Sequence, residues 1–407
     1  MGLPALRGAT LGLRWGGGPT GDHGVEVTAM GLRKRVARTA AAAALLAALA
    51  TLGVGVRRQD HLAHAQGGRV IFNVDTTADT VDADPGNGTC ADADGYCSLR
   101  AAIMEANAQA AQDASKEFVI SLQSAAVYTL ARDEDGSGHV VDSGADNDDL
   151  DIAANITIEG NGSTIQRSAL YPCNLDGTAA VGEFRLFQTL SAFVTVKFKD
   201  VTLRNGCAGY RFEDHRRGGG IYADSRASGN SINLILENTT VENNVGAGVF
   251  LTTSNGTLTI ISSKIRANDH GGIDGLDAGG IYVSARDTII RNSIIEGNLG
   301  RRGGGISHAG GNATVVGSVI TGNRATRDGG GVWTQAYLTI HNSTVSGNIA
   351  GSTGGAIFAP DNIVRITLTF ATLANNRAEA PTGASGIHLG WNTVLSLKNT
   401  ILANDLS

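Results

Sequence analysis

The stretch IIEGNLGRRGGGIS, Ile294 to Ser307, decides the fold. Two apolar residues are followed by a polar residue, Gly and Asn, then a short turn, a run of glycines and another Ile. VITGNRATRDGGGVW (Val319 to Trp333) and TVSGNIAGSTGGAIF (Thr344 to Phe358) repeat the order. Looser copies surround them, so that the Asn recurs at 244, 268, 298, 323, 348, 376 and 404. The steps of 24, 30, 25, 25, 28 and 28 residues differ because the turn after the Asn changes length, as a solenoid allows on one of its faces.

Between these units run stretches of strict alternation, such as TIIRNSII (Thr288 to Ile295) and LTIHNSTV (Leu338 to Val345). Period two with β-branched residues predicts strands, and no helical period separates them. Parallel strands without crossover helices can be connected if the chain coils, each strand stacking about 4.8 Å above its counterpart. The expected fold is all-β: a right-handed parallel β-helix. Ile221, Val249, Ile281, Ile306, Val332, Ile357 and Ile387 should form an aliphatic column inside it. The repeated Asn should occupy left-handed turn positions and bond from coil to coil. The glycines should lie where a Cβ would strike the next coil.

One residue further on stands a second column: Tyr222, Phe250, Tyr282, Ser307, Trp333, Phe358 and His388. Alternation turns it outward if the Ile/Val column points in. Exposed rings stack on sugar faces, so Tyr222, Phe250, Tyr282, Trp333 and Phe358 are candidates for polysaccharide binding. The plainer reading, rings that stiffen the sheet by stacking on one another, is favoured because Ser307 interrupts the row.

The N-terminal region differs. GLRKRVAR, the apolar run Thr39 to Val56 and the small-x-small triplet Ala63 to Ala65 predict a signal peptide over residues 1–65, cleaved before Gln66. Arg57 and Arg58 after the apolar run are unusual, and an uncleaved anchor is the minority reading. Residues 1–29, upstream of Met30, read as an overlong start. Of 32 Lys and Arg, eight lie in residues 1–65, and of 38 Asp and Glu, three, leaving a formal charge of −11 on the rest. A nucleic-acid partner is therefore not expected, and nothing after Val56 is apolar enough to span a bilayer. All four cysteines follow the signal, where disulfides form. Of three possible pairings, Cys90–Cys97 and Cys173–Cys207 are expected.

Residues 66–117 read as a cap on the solenoid's first coil, with 118–407 as the solenoid. In DGYCSLRAAIMEAN (Asp94 to Asn107), Leu99, Ala102, Ile103, Ala106 and Ala110 share one helical face behind Ser98 as N-cap. CSLRAAIMEAN resembles the N-terminal signature of bacterial secreted proteins named for the sequence CSLREA. In that family the element precedes parallel β-helix repeats. DNDDLDIAANITIEGNGSTI (Asp146 to Ile165) is similar to their next segment, and LKNTILAN (Leu397 to Asn404) to a last coil before a C-terminal surface anchor. The resemblance covers the chain from about Val70 and implies export to the cell surface, with no particular reaction. The family's Glu is Ala101 here, which removes a capping box and predicts that Ala101→Glu is stabilising. Ending at Ser407 with no further cap, the chain is expected to be truncated or to leave its last coil open to association.

Two chemistries compete with plain binding. DEDGSG (Asp133 to Gly138) opens like a calcium loop, but its twelfth position is Gly144 instead of Glu. With Asp146, Asp148 and Asp149, Asp133 and Asp135 are calcium candidates, although a solvated acidic loop is the plainer expectation. Similarity to the pectate-lyase-like fold suggests a lyase or glycosidase using turn-face groups, here Asp269, His270, Arg327 and Asp328. No paired aspartates occur within the repeats, and His270 and His308 are each expected on the surface. The sequons at Asn87, Asn161, Asn238, Asn255, Asn312 and Asn342 carry no functional weight. A secreted or cell-surface structural and adhesive protein is the preferred expectation, and an enzyme the alternative.

Overall fold

A computed structural model describes residues 68–132, 145, 148–173, 182–189, 191–208, 217–225, 229–269, 278–360 and 364–403. The signal-peptide region, Asp133, Asp135, Asp146, His270 and Asn404 lie outside them. The chain coils as a parallel β-helix. On one face the strands Phe187–Thr189, Ile221–Ser225, Val249–Thr253, Ile281–Arg291, Ile306–Val316, Val332–Thr334, Ile357–Ala359 and Ile387–Leu389 pair in that order, all parallel. Two further faces run alongside, one ending at Val394–Lys398 and the other at Ile401–Ala403. The register aligns Ile221, Val249, Ile281, Ile306, Val332, Ile357 and Ile387, the aliphatic column expected from the repeats. All but Ile387, in the last described coil, are buried.

Each corner has its own backbone solution. The ladder Asn is buried, and Asn268 shows its bonding. Its Nδ2 donates to Asn298 Oδ1 at 3.0 Å and to the Val241 carbonyl at 3.0 Å, while its Oδ1 accepts from Asn244 Nδ2 at 2.9 Å. The pattern continues through Asn298, Asn323, Asn348 and Asn376. The left-handed residue, however, is the one before the ladder Asn: Asn243, Ala267, Gly297, Gly322, Gly347 and Asn375 have φ of 50–62°. The turn and the amide ladder thus fall to neighbouring residues. Gly331 packs on this ladder, where a Cβ would stand 2.7 Å from the Ala356 carbonyl and 3.1 Å from Asn348 Nδ2.

A second ladder, unanticipated, follows the next corner. Asn238, Ser262, Asn292, Gly317, Asn342 and Phe370 take φ of 46–59°. Behind the first five stand Thr239, Ser263, Ser293, Ser318 and Ser343, all buried. The four serine hydroxyls accept the backbone N–H of the coil before, as in Ser263 N to Ser293 Oγ at 3.1 Å and Ser293 N to Ser318 Oγ at 3.1 Å. Each Ser hydroxyl donates to the carbonyl two residues back. The sequons at Asn238 and Asn342 are therefore corners: an Asn that accepts left-handed backbone, then the residue of a hydroxyl ladder.

The helix Leu99–Gln112 caps the first coil, with Ser98 Oγ accepting from Ala101 N at 3.0 Å. Leu99, Ala102, Ile103 and Ala106 are buried as the helical face requires, and Ala110 is partly buried. Two charged residues sit in this interface as well. Arg100 donates to Asp79 at 2.7 Å and to the Ala145 and Asp148 carbonyls at 2.9 Å. Glu105 accepts from the backbone N–H of Gly86 and, at 2.6 Å, of Gly88. Ala101 is itself fully buried, so a Glu there would place its carboxylate in the interior, against the expected stabilisation. Cys90–Cys97 and Cys173–Cys207 are bonded, both as expected. Among the described residues no helix is long and apolar enough to cross a membrane.

Candidate functional site

The second column stacks as its register demands: Tyr222 on Phe250 at 5.1 Å between ring centroids, and Phe250 on Tyr282 at 4.7 Å. After the gap at Ser307, Phe358 stacks on His388 at 5.0 Å. The row is not an open face. Tyr222, Phe250 and Trp333 are 5%, 3% and 7% exposed, because arginines cover the rings. Arg185 lies 4.3 Å from the Tyr222 centroid, Arg217 5.3 Å from Phe250 and Arg302 5.8 Å from Trp333. Of the candidate rings only Tyr282 and Phe358 keep part of their surface open. Outward direction on a strand does not guarantee exposure when long side chains from the turns lie over it.

Tyr282 opens onto a groove of about 530 Å³. Its lining comes from successive coils: Thr252, Thr253 and Ser254 from one, Tyr282, Ser284, Ala285 and Arg286 from the next, and Gly310 and Gly311 from the third, with Arg217 at the side. The ladder is irregular at this point, with register shifts on either side of Ser284. Two adjacent glycines leave the floor low. Gly311 has φ +80°, and a Cβ on it would meet the Ala285 carbonyl at 1.8 Å. Beside the groove, Asp224 accepts hydrogen bonds from the Tyr222 hydroxyl at 3.0 Å and from Thr252 Oγ1. Arg286 Nε contacts Asp287 at 2.9 Å. A partly exposed ring, hydroxyls and guanidinium groups suit a polar ring-shaped ligand.

Of the proposed catalytic groups, Asp269 is exposed and its backbone bridges Val245 and Leu299. Asp328 is 9% exposed and Arg327 exposed. The coil of Asp269 pairs with that of Leu299, which pairs with that of Arg324, so Asp269 and Asp328 stand two coils apart. Strand spacing puts that at roughly 9.5 Å along the axis, well beyond the separation in retaining glycosidases and at the outer limit for inverting ones. The sequence placed these residues on the turn face, and the structure sets Asp269 and Asp328 on coils that are not adjacent.

His308, expected on the surface, is fully buried. It follows Ile306 by two residues and so shares its inward face, in register with Val283 and Thr334. Its Nδ1 lies 2.9 Å from Thr334 Oγ1, and burial pushes its pKa down to about 4. Among the calcium candidates that are described, Asp148 and Asp149 are buried, not solvated. Asp149 lies 3.5 Å from the Arg185 guanidinium, and the Asp148 carbonyl accepts from Arg100. A divalent ion at Asp149 would have to compete with that guanidinium.

Sequence reasoning reached Tyr282 but missed Arg217, Thr252, Ser284, Arg286, Gly310 and Gly311. The one signal was Gly310-Gly311, which interrupts the alternation of Ile306 to Val316. No family model, no curated protein and no solved structure matches this chain.

Proposed function

We propose that the protein is a secreted or cell-surface β-helix with a structural and adhesive role, which holds extracellular polysaccharide in the Tyr282 groove without turning it over. The observation that carries this is the groove itself. A partly exposed aromatic ring, the hydroxyls of Ser254 and Ser284, and arginine side chains line one cleft over the buried Thr252 and Thr253, and no carboxylate is among its described lining residues. A sugar's apolar face stacks on a ring while its hydroxyls exchange hydrogen bonds with short polar side chains. Hydrolysis through an acid/base pair needs two carboxyl groups at a set separation, and β-elimination needs a base beside the sugar's α-proton. Among the described residues, the groove's lining offers neither a carboxylate nor a histidine. Export is supported by the two disulfides, which persist in oxidising surroundings, and by the basic-apolar-small order of residues 1–65.

The test is a panel of acidic and neutral polysaccharides, with and without calcium, in which binding and product release are recorded together. Binding without release is the expected result. Release of sugars would sink the adhesive reading and move attention to Asp269, Asp328 and Arg327.

A further inference from the structure

We infer that the Tyr282 groove selects sugar units carrying an anionic substituent, a carboxylate or a sulfate. This rests on the reading of the groove as a carbohydrate site. Arg217 and Arg286 both line the cleft, and among the described residues its lining includes no Asp or Glu, in a chain whose formal net charge is −6. Arg286 gives its Nε to Asp287 at 2.9 Å, an exposed contact that engages one of five guanidinium donors. Arg217 is held at 5.3 Å from the Phe250 centroid, a ring that is stacked on Tyr282. One stack therefore fixes both the cation and the platform on which a sugar ring would lie. Fixing a guanidinium in advance reduces the entropy lost when it binds.

The floor suits the same ligand. Ser284 and Thr252 occupy one outward row, in register with Gly310. At Gly310 a side chain would enter the cleft, its Cβ 3.0 Å from Ser284 Oγ. Without one, the sugar hydroxyls reach Ser284 while the charged substituent reaches an arginine. The nearby carboxylates of Asp224 and Asp287 are engaged by Tyr222, Thr252 and Arg286.

Binding of the full chain to size-matched neutral, carboxylated and sulfated oligosaccharides tests this, for the wild type and for Arg217→Gln and Arg286→Gln. The anionic ligands should bind at least tenfold more tightly than the neutral one. Each substitution should remove about tenfold of that preference, read as the ratio of the neutral Kd to the anionic Kd of the same variant. Higher salt should weaken the anionic arms only. Whichever anionic arm binds more tightly identifies the substituent. Equal affinity for neutral and anionic ligands, or a preference that survives both substitutions, overturns the anion inference and leaves the carbohydrate reading standing. If no oligosaccharide binds, both fail. Arg286 is exposed, so its variant keeps the test valid if Arg217→Gln disturbs the Phe250 stack.

Discussion

Phe370 occupies a corner where five of the preceding coils place Asn, Ser or Gly, and its φ is +52°. A bulky L-residue in left-handed backbone costs roughly 1–2 kcal/mol, and its edge contact with His341 at 5.8 Å recovers only part of that. Phe370→Asn is therefore expected to stabilise the protein by roughly 0.5–1 kcal/mol, read from the urea midpoint at unchanged slope. A loss of stability would show that the ring contact outweighs the strain. His308 makes a second prediction at this scale. Its folded pKa of about 4 lies below the ordinary 6.5, so burial favours the neutral ring. The stability this contributes is complete above pH 6.5 and is lost as pH falls toward 4. Across that window wild type should lose about 3 kcal/mol relative to His308→Val, which places an aliphatic residue in the Val283 register. Parallel stability curves for the two proteins would contradict the assignment. The sequence did not reveal this histidine's place, because a turn-rich context hid that it continues the Ile306 strand.

At the scale of elements, the coils were legible because one repeated Asn and one repeated Gly run marked every turn. The position of the left-handed residue was not, since Asn can serve either as corner or as ladder, and the structure divides the roles. The hydroxyl ladder of Ser263, Ser293, Ser318 and Ser343 was written in the sequence as Asn-Ser or its equivalent, yet it reads there only as polar loop. The cap shows the converse limit. Its apolar face followed from helical spacing, whereas Arg100 and Glu105 look like surface charges until the chain folds over them. Arg100 is fully buried against Asp79 and two carbonyls. Removing a buried ion-pair partner strands the other charge, so Arg100→Ala should cost about 3–5 kcal/mol in chemical denaturation. Arg100→Lys should recover only part of this, because an ammonium cannot replace the guanidinium's forked contacts. An Arg100→Ala protein as stable as wild type would remove the cap from the account of how the first coil is held.

For the whole molecule, the solenoid sets a regular surface and the candidate groove sits where that regularity breaks. The aromatic row was legible as a row. Its burial was not, because Arg185, Arg217 and Arg302 approach the rings from sequence-distant turns. The groove arises from residues of successive coils and a register shift, and no single segment announces it. Its floor at Gly310 gives the most direct access to the central claim that the protein binds polysaccharide there. Gly310→Gln would fill the cleft while leaving every ring and arginine in place, and the nearest obstacle to its Cβ is the mobile end of Ser284. The measurement is the Kd of this variant beside wild type for whichever polysaccharide wild type binds, with circular dichroism confirming an unchanged fold. The account predicts that the filled groove loses binding at least tenfold; undiminished affinity in a correctly folded variant would contradict it.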